Sequence, residues 1–139
     1  MAGGAGGSRG ERERASGSPP TDIELRERIR DYWNRDAETY DSAPSHAASD
    51  VIEVAAWRAA IRGALPEPPA RVLDAGAGTG SLSILAAELG YRVTALDLSP
   101  AMLERAGRKA AERGVELELV EGSVDRPPVG PFDAVVERH

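Results

Sequence analysis

Asp74-Ala75-Gly76-Ala77-Gly78-Thr79-Gly80 sets three glycines on alternate positions directly after a carboxylate. A residue without a Cβ lets backbone come close to a ligand, and a helix that starts behind such a loop presents N–H groups with no partner inside the helix. Taken alone, that is a general cradle for an anion or a nucleotide. A second carboxylate, Asp97, lies seventeen positions after Gly80, at the end of the next apolar run, where it can accept hydrogen bonds from both hydroxyls of a ribose. The two features together describe a nucleoside pocket.

The glycine spacing separates kinds of nucleoside. The dinucleotide fingerprint Gly-x-Gly-x-x-Gly needs a third glycine at position 81 if it starts at Gly76, or at 83 if it starts at Gly78. Those positions hold Ser81 and Ser83. Asp74 would also repel a pyrophosphate, whereas it suits the ammonium group of a methionine moiety, directly or through water. A nicotinamide-dependent oxidoreductase is therefore the least favoured reading. Asp97 could instead cap the following helix, but Ser99 already suits that task; Asp74 has no such structural duty to explain it.

Alternating strands and helices must hold these residues at one end of a sheet. Arg71 to Asp74 starts a short strand, and Ser81 to Leu89 carries Leu82, Leu85, Ala86 and Leu89 on one helical face before Gly90 stops it. Arg92 to Leu96 is a second strand ending at Asp97, and Ser99 with Pro100 opens a helix that runs to Arg113, before Gly114. Val115 to Glu121 alternates as a half-exposed edge strand would, and Phe132 to Val136 forms a fourth strand beyond Pro127, Pro128 and Pro131. This order implies an α/β fold with a mostly parallel sheet. Upstream, Thr21 and Glu24 form a capping box for a helix over about Asp22 to Arg35, with Leu25, Ile29, Tyr32 and Trp33 at helical spacing. Tyr32 and Trp33 are expected in the core, and Tyr40 lies in a polar loop that could serve either packing or a ligand. A second helix, roughly Asp50 to Leu65, has Ile52, Ala55, Ala59 and Ala60 available to face a core, and Pro66, Pro68 and Pro69 end it.

Val72-Leu73-Asp74-Ala75-Gly76-Ala77-Gly78-Thr79-Gly80 closely resembles the first motif of the class I S-adenosylmethionine-dependent methyltransferases, and Ala95-Leu96-Asp97-Leu98-Ser99-Pro100-Ala101-Met102-Leu103 resembles their second. Phe132-Asp133-Ala134-Val135-Val136 is similar to the strand after their third motif, and Tyr32-Trp33 and Tyr40-Asp41 are similar to the helix and loop that close over the cofactor in many small-molecule members. The resemblance implies a Rossmann-like parallel sheet of order 3-2-1-4 with N-terminal helices, part of the family order 3-2-1-4-5-7-6. It implies S-adenosyl-L-methionine as cofactor, held by Asp74, Ala75, Gly76, Gly78, Gly80, Asp97, Leu98, Met102, Ser123, Val124 and Tyr40. In that scheme Asp97 takes the ribose hydroxyls, Leu98 and Met102 pack on the adenine, and Glu137 and Arg138 lie near the methionine end. Met102 could equally fill core volume. Ser123 departs from the acidic residue usual there, and Asp125 is close enough to accept from the adenine amino group in its place.

The implied division is a disordered tail over residues 1–20, rich in glycine and lacking large apolar side chains after Met1; a helical segment over 21–69 covering the cofactor site; and a cofactor-binding half domain over 70–139. The sequence reads as ending after the fourth strand, which implies a truncated chain or one part of a larger enzyme. A fourth strand of Phe132, Ala134, Val135 and Val136 would show an apolar edge that pairs with a partner chain or a second copy. The activity implied is methyl transfer to a small molecule. The alternative is a non-catalytic module that binds S-adenosylmethionine or S-adenosylhomocysteine and is completed by a partner.

Composition narrows the classes further. A net charge of -6 with arginines and glutamates interspersed gives no basic stripe for DNA or RNA. There are no cysteines and only two histidines, His46 and His139, far apart, so no metal site is expected. No apolar run is long enough to span a bilayer or resembles a secretory signal, which leaves a cytoplasmic protein as the expectation. No catalytic residue is assigned; His139, directly after the fourth strand, is the best-placed candidate base.

Overall fold

A computed structural model describes residues 19–43 and 50–138. The tail expected over 1–20, apart from its last two residues, and both His46 and His139 lie outside the described residues.

Among the described residues four α-helices and four strands follow the expected order. Helix α1 (Asp22–Asp36) starts at the predicted capping box: Thr21 accepts from the Glu24 N–H and Glu24 accepts from the Thr21 N–H. A single 3₁₀ turn (Tyr40–Ser42) follows. Helix α2 (Val51–Ala64) is capped by Asp50, whose carboxylate accepts from the Ile52 and Glu53 N–H groups. Then come β1 (Arg71–Ala75), α3 (Ser81–Glu88), β2 (Arg92–Asp97), α4 (Pro100–Glu112), β3 (Glu118–Glu121) and β4 (Ala134–Val136).

The sheet is parallel throughout, in the order β3-β2-β1-β4. Arg71 aligns with Arg92, and Val72 aligns with both Val93 and Ala134. Val72 and Val93 lie on the face that packs against Leu82, Leu85 and Ala86 of α3, with Ile61 of α2 completing the cluster. This register brings the carboxyl ends of β1 and β2, hence Asp74 and Asp97, to one end of the sheet.

Several expectations are corrected. In α2 the core-facing residues are Val54, Trp57 and Ile61, with Leu65 after the helix, and not Ile52, Ala55, Ala59 and Ala60; Ile52 is 80% exposed and Ile61 only 5%. The set at 54, 57, 61 and 65 keeps helical spacing and presents more apolar area than three alanines, so it wins the core. Tyr32 and Trp33 are not in the core: α1 buries no residue, and Leu25, Ile29, Tyr32 and Trp33 are all exposed. Among the described residues α2, α3 and α4 supply the buried helical side chains, while polar ties from Arg26 and Asn34 decide which side of α1 meets the rest.

β3 starts at Glu118, three residues later than expected, because Gly114 takes a φ of +70° and the Val115 N–H donates back to the Ala110 carbonyl at 3.0 Å. That reversal consumes Val115 as a helix end. β4 is likewise confined to Ala134–Val136. Asp133 before it anchors to β1 instead, its N–H donating to the Arg71 carbonyl at 2.8 Å and its carboxylate accepting from the Arg71 N–H at 2.7 Å.

Candidate functional site

The loop between β1 and α3 turns three times through the left-handed region, at Gly76 (φ +76°), Gly78 (φ +57°) and Gly80 (φ +81°). These glycines do different work. At Gly76 and Gly78 an added Cβ would meet no atom within 4 Å, so the backbone there faces open space. At Gly80 it would lie 2.8 Å from the Ala106 Cβ, so this glycine lets α3 and α4 pack closely. Thr21, Asp50 and Ser99 cap their helices with side chains, but α3 begins at Gly80, which has none to offer.

Asp97 is the junction of the site. Its Oδ2 accepts from the Gly78 N–H at 2.8 Å and its Oδ1 from the Ser99 N–H at 2.8 Å. The backbone repeats the junction: the Gly76 and Ala77 N–H groups donate to the Leu96 carbonyl, and the Gly122 N–H donates to the Asp97 carbonyl at 2.9 Å. The loops after β1, β2 and β3 are thereby fastened to one residue, the first two through its carboxylate and the third through its backbone carbonyl. A carboxylate has about four acceptor positions, and the two N–H groups leave room for two hydroxyls.

Asp74 is only 1% exposed. The Ser83 hydroxyl donates to its Oδ2 at 2.6 Å, so it does have a structural duty, tying β1 to the first turn of α3. Among the described residues no cation pairs with it, and burial pushes its carboxyl up to about 6, against the lowering effect of the Ser83 hydrogen bonds. A buried carboxylate with hydroxyl and amide donors but no counter-ion fits a cationic group supplied from outside the chain.

Ala75 and Leu98 are half-buried beside these carboxylates. Met102 is buried within α4, at 2% exposure, as a core residue would be. Ser123 donates to Asp125, whose other oxygen receives Arg26 of α1 at 2.5 Å; the Ser123 hydrogen bond and, after it, the Arg26 charge hold the Asp125 carboxyl below its usual range. Val124 is exposed. Tyr40 stands edge-on to Trp33 with ring centroids 6.0 Å apart, and burial raises its phenol above the usual range, with Asp36, Asp41 and Asp97 adding to the shift and Arg138 opposing it. Arg138 lies over the Trp57 ring, 5.2 Å from its centroid, and pairs with Glu53 of α2.

Asn34 and Lys109, which the sequence reading passed over, also reach the site. Asn34 of α1 accepts from the Ser99 hydroxyl at 2.6 Å, and the Thr79 hydroxyl donates to Asp41 at 2.6 Å while Lys109 of α4 reaches both. Among the described residues no cluster of His, Asp and Glu could hold a metal.

A family profile described as "Methyltransferase domain" matches residues 72–139. The putative methyltransferase YqeM of Bacillus subtilis is 40% identical over 101 residues, covering 72% of this chain and 38% of that protein. The ribosomal protein L11 methyltransferase of Thermus thermophilus is 40% identical over 70 residues, covering 50% of this chain and 28% of that protein. Among solved structures, magnesium protoporphyrin IX methyltransferase of Synechocystis PCC 6803 with bound SAM superposes with a TM-score of 0.61 at 26% identity, over 86% of this chain and 64% of that one. The chain spans between a quarter and two fifths of the length of the curated relatives it matches. A parallel 3-2-1-4 sheet, a glycine loop joined through a carboxylate to the next strand's end, and these matches agree, and residues 72–139 belong to a class I S-adenosylmethionine-dependent methyltransferase domain.

Proposed function

We propose that the protein transfers a methyl group from S-adenosylmethionine to a small molecule. The observation that carries this reading is the Asp97 junction, where the carboxylate holds the loops after β1 and β2, the backbone carbonyl holds the loop after β3, and the carboxylate keeps acceptor positions to spare. In this reading Asp97 accepts from the ribose hydroxyls, and Asp74 balances the ammonium group of the methionine portion, directly or through water. The open backbone at Gly76 and Gly78, with Ala75 and Gly80, shapes the cradle. Leu98 and Val124 supply the apolar wall for the adenine, with Met102 backing it from the core, and Ser123 with Asp125 the acceptors beside it. Tyr40 closes the pocket from the 21–69 segment.

The bound cofactor supplies a methyl group already activated by the sulfonium charge. The chain's task is then orientation and exclusion of water, with a general base needed only for an acceptor of high pKa. A net charge of -6 without a basic stripe supports a small molecule over a nucleic acid. No helix among the described residues is long and apolar enough to cross a membrane.

Titration with S-adenosylhomocysteine tests the reading. Wild-type chain should bind it, and Asp97→Ala should weaken binding by about 1–3 kcal/mol, the loss expected for a charged hydrogen-bond partner. Unchanged affinity in a folded variant would remove Asp97 from the ribose role, and tighter binding of NAD would favour an oxidoreductase. A second reading, a binding module completed by another chain, draws support from Val135 of β4, which is 63% exposed on a strand paired only with β1 among the described residues. Cofactor binding without methylation of any small-molecule extract would favour it.

A further inference from the structure

Lys109 lies in the last turn of α4, where a lysine ordinarily faces water and the helix's negative end. Here its ammonium donates to Asp41 Oδ2 at 3.0 Å and to Thr79 Oγ1 at 3.1 Å. The Thr79 hydroxyl in turn donates to Asp41 Oδ1 at 2.6 Å. The three groups close a ring of hydrogen bonds whose members come from the 3₁₀ turn, the glycine loop and α4.

Thr79 is buried between Gly78, whose N–H holds Asp97, and Gly80, which packs on Ala106. Asp41 is next in sequence to Tyr40. A second tie parallels the first: Asn34 accepts from the Ser99 hydroxyl, and the Ser99 N–H donates to the same Asp97 carboxylate. Asn34 reaches Asp97 through Ser99, and Asp41 reaches it through Thr79 and the neighbouring Gly78. Within residues 21–43 Ala37 alone is buried, so the arm docks chiefly through these polar contacts and Arg26–Asp125.

We propose that Asp41 and Lys109 are positioning residues for the cofactor loop. Through Thr79 they fix the glycine loop and the turn carrying Tyr40 in a single arrangement, so that docking of the arm over 21–43 and filling of the cradle favour each other. Linkage makes this reciprocal: whatever loosens the ring weakens the ligand, and the ligand tightens the ring. The proposal rests on the reading of the glycine loop as a cofactor cradle.

Calorimetry with S-adenosylhomocysteine, combined with Trp33 fluorescence, tests it in the full chain. Trp57→Phe leaves Trp33 as the single indole of the original two, and Trp33 touches Tyr40 in the turn that the ring holds. In this background Lys109→Met and Asp41→Asn should each weaken binding about tenfold. The double variant should be no worse than either single one, because each substitution already opens the ring. Lys109→Arg, which keeps the charge, should restore affinity to within about threefold. Ligand should shift Trp33 emission in the parent and not in the double variant, a signal that a purely structural role would not produce. Folded variants that bind as tightly as the parent overturn the proposal, as do losses that multiply to about a hundredfold in the double variant. A parent that does not bind S-adenosylhomocysteine overturns the cradle reading itself, which distinguishes the two failures.

Discussion

Asp74 brings a carboxylate into the interior beside Ser83 and, among the described residues, without a counter-ion, and burial raises its pKa from 3.8 to about 6. Its proton is held more tightly in the folded chain than in the unfolded one. The group's contribution to stability is therefore fully present below pH 3.8 and is lost as the pH rises through about 6, a cost on the order of 3 kcal/mol at neutral pH. Asp74→Asn should accordingly raise the Tm of the ligand-free protein at pH 8 relative to wild type, with the gap closing near pH 4. Ligand binding should run the other way. An ammonium near Asp74 favours the ionised form, so affinity for S-adenosylhomocysteine should rise with pH through about 6 in wild type and stay flat in Asp74→Asn. Thermal melts and calorimetry at pH 5 to 8 read both effects. A natural residue that costs stability until a ligand arrives is the expected trade at a binding site.

Among the elements, helix and strand order were legible because their signals are local. Thr21 with Glu24, Ser99 with Pro100, and Gly80 before Ser81 each announce a helix start within a few residues. The Asp74 and Asp97 placement was legible for the same reason, each ending or nearly ending an apolar run. The core face of α2 was misread because its alanines and its larger residues both fall at helical spacing, and only the partners across the interface choose between them. The ties Asn34–Ser99, Asp41–Lys109 and Arg26–Asp125 join residues 65, 68 and 99 positions apart, and no single-sequence pattern announces such pairs. The choice within α2 can be measured. Ile61→Ala should destabilise the protein by about 2–5 kcal/mol, as buried large-to-small changes do, whereas Ile52→Ala should stay within about 0.5 kcal/mol. Denaturant midpoints that fail to separate these two variants would contradict the packing of α2.

At the scale of the whole molecule, polar contacts tie the loops of the cofactor end to one another, while among the described residues the β4 side of the sheet has only β1 beside it. Val135 presents an exposed apolar side chain on a three-residue strand whose pairing, among the described residues, is with β1 alone. Unpaired edges invite pairing with another chain. The 139-residue chain should therefore self-associate at micromolar concentration, and Val135→Lys should shift it toward monomer in sedimentation experiments while leaving affinity for S-adenosylhomocysteine unchanged. Association that the lysine does not reduce would place the contact elsewhere.

The register of the sheet also carries a sense of time. Partners on β1 and β2 are 21 positions apart in the chain, as Arg71 and Arg92 are, whereas Val72 and Ala134 on β1 and β4 are 62 apart. Closing the longer loop costs about 1 kcal/mol more entropy, and β4 returns only a three-residue ladder for it. The sheet should thus nucleate at its β1–β2 centre, with β4 arriving last and departing first. Native-state hydrogen exchange should find the β1 amides that bond to β2 protected to near the global unfolding limit, and those shared with β4 released at lower free energy. Glycine loop and Asp97 would then hold together through excursions that open the wall beside β4, so that a ligand could be retained at its nucleoside end while its methionine end was briefly uncovered.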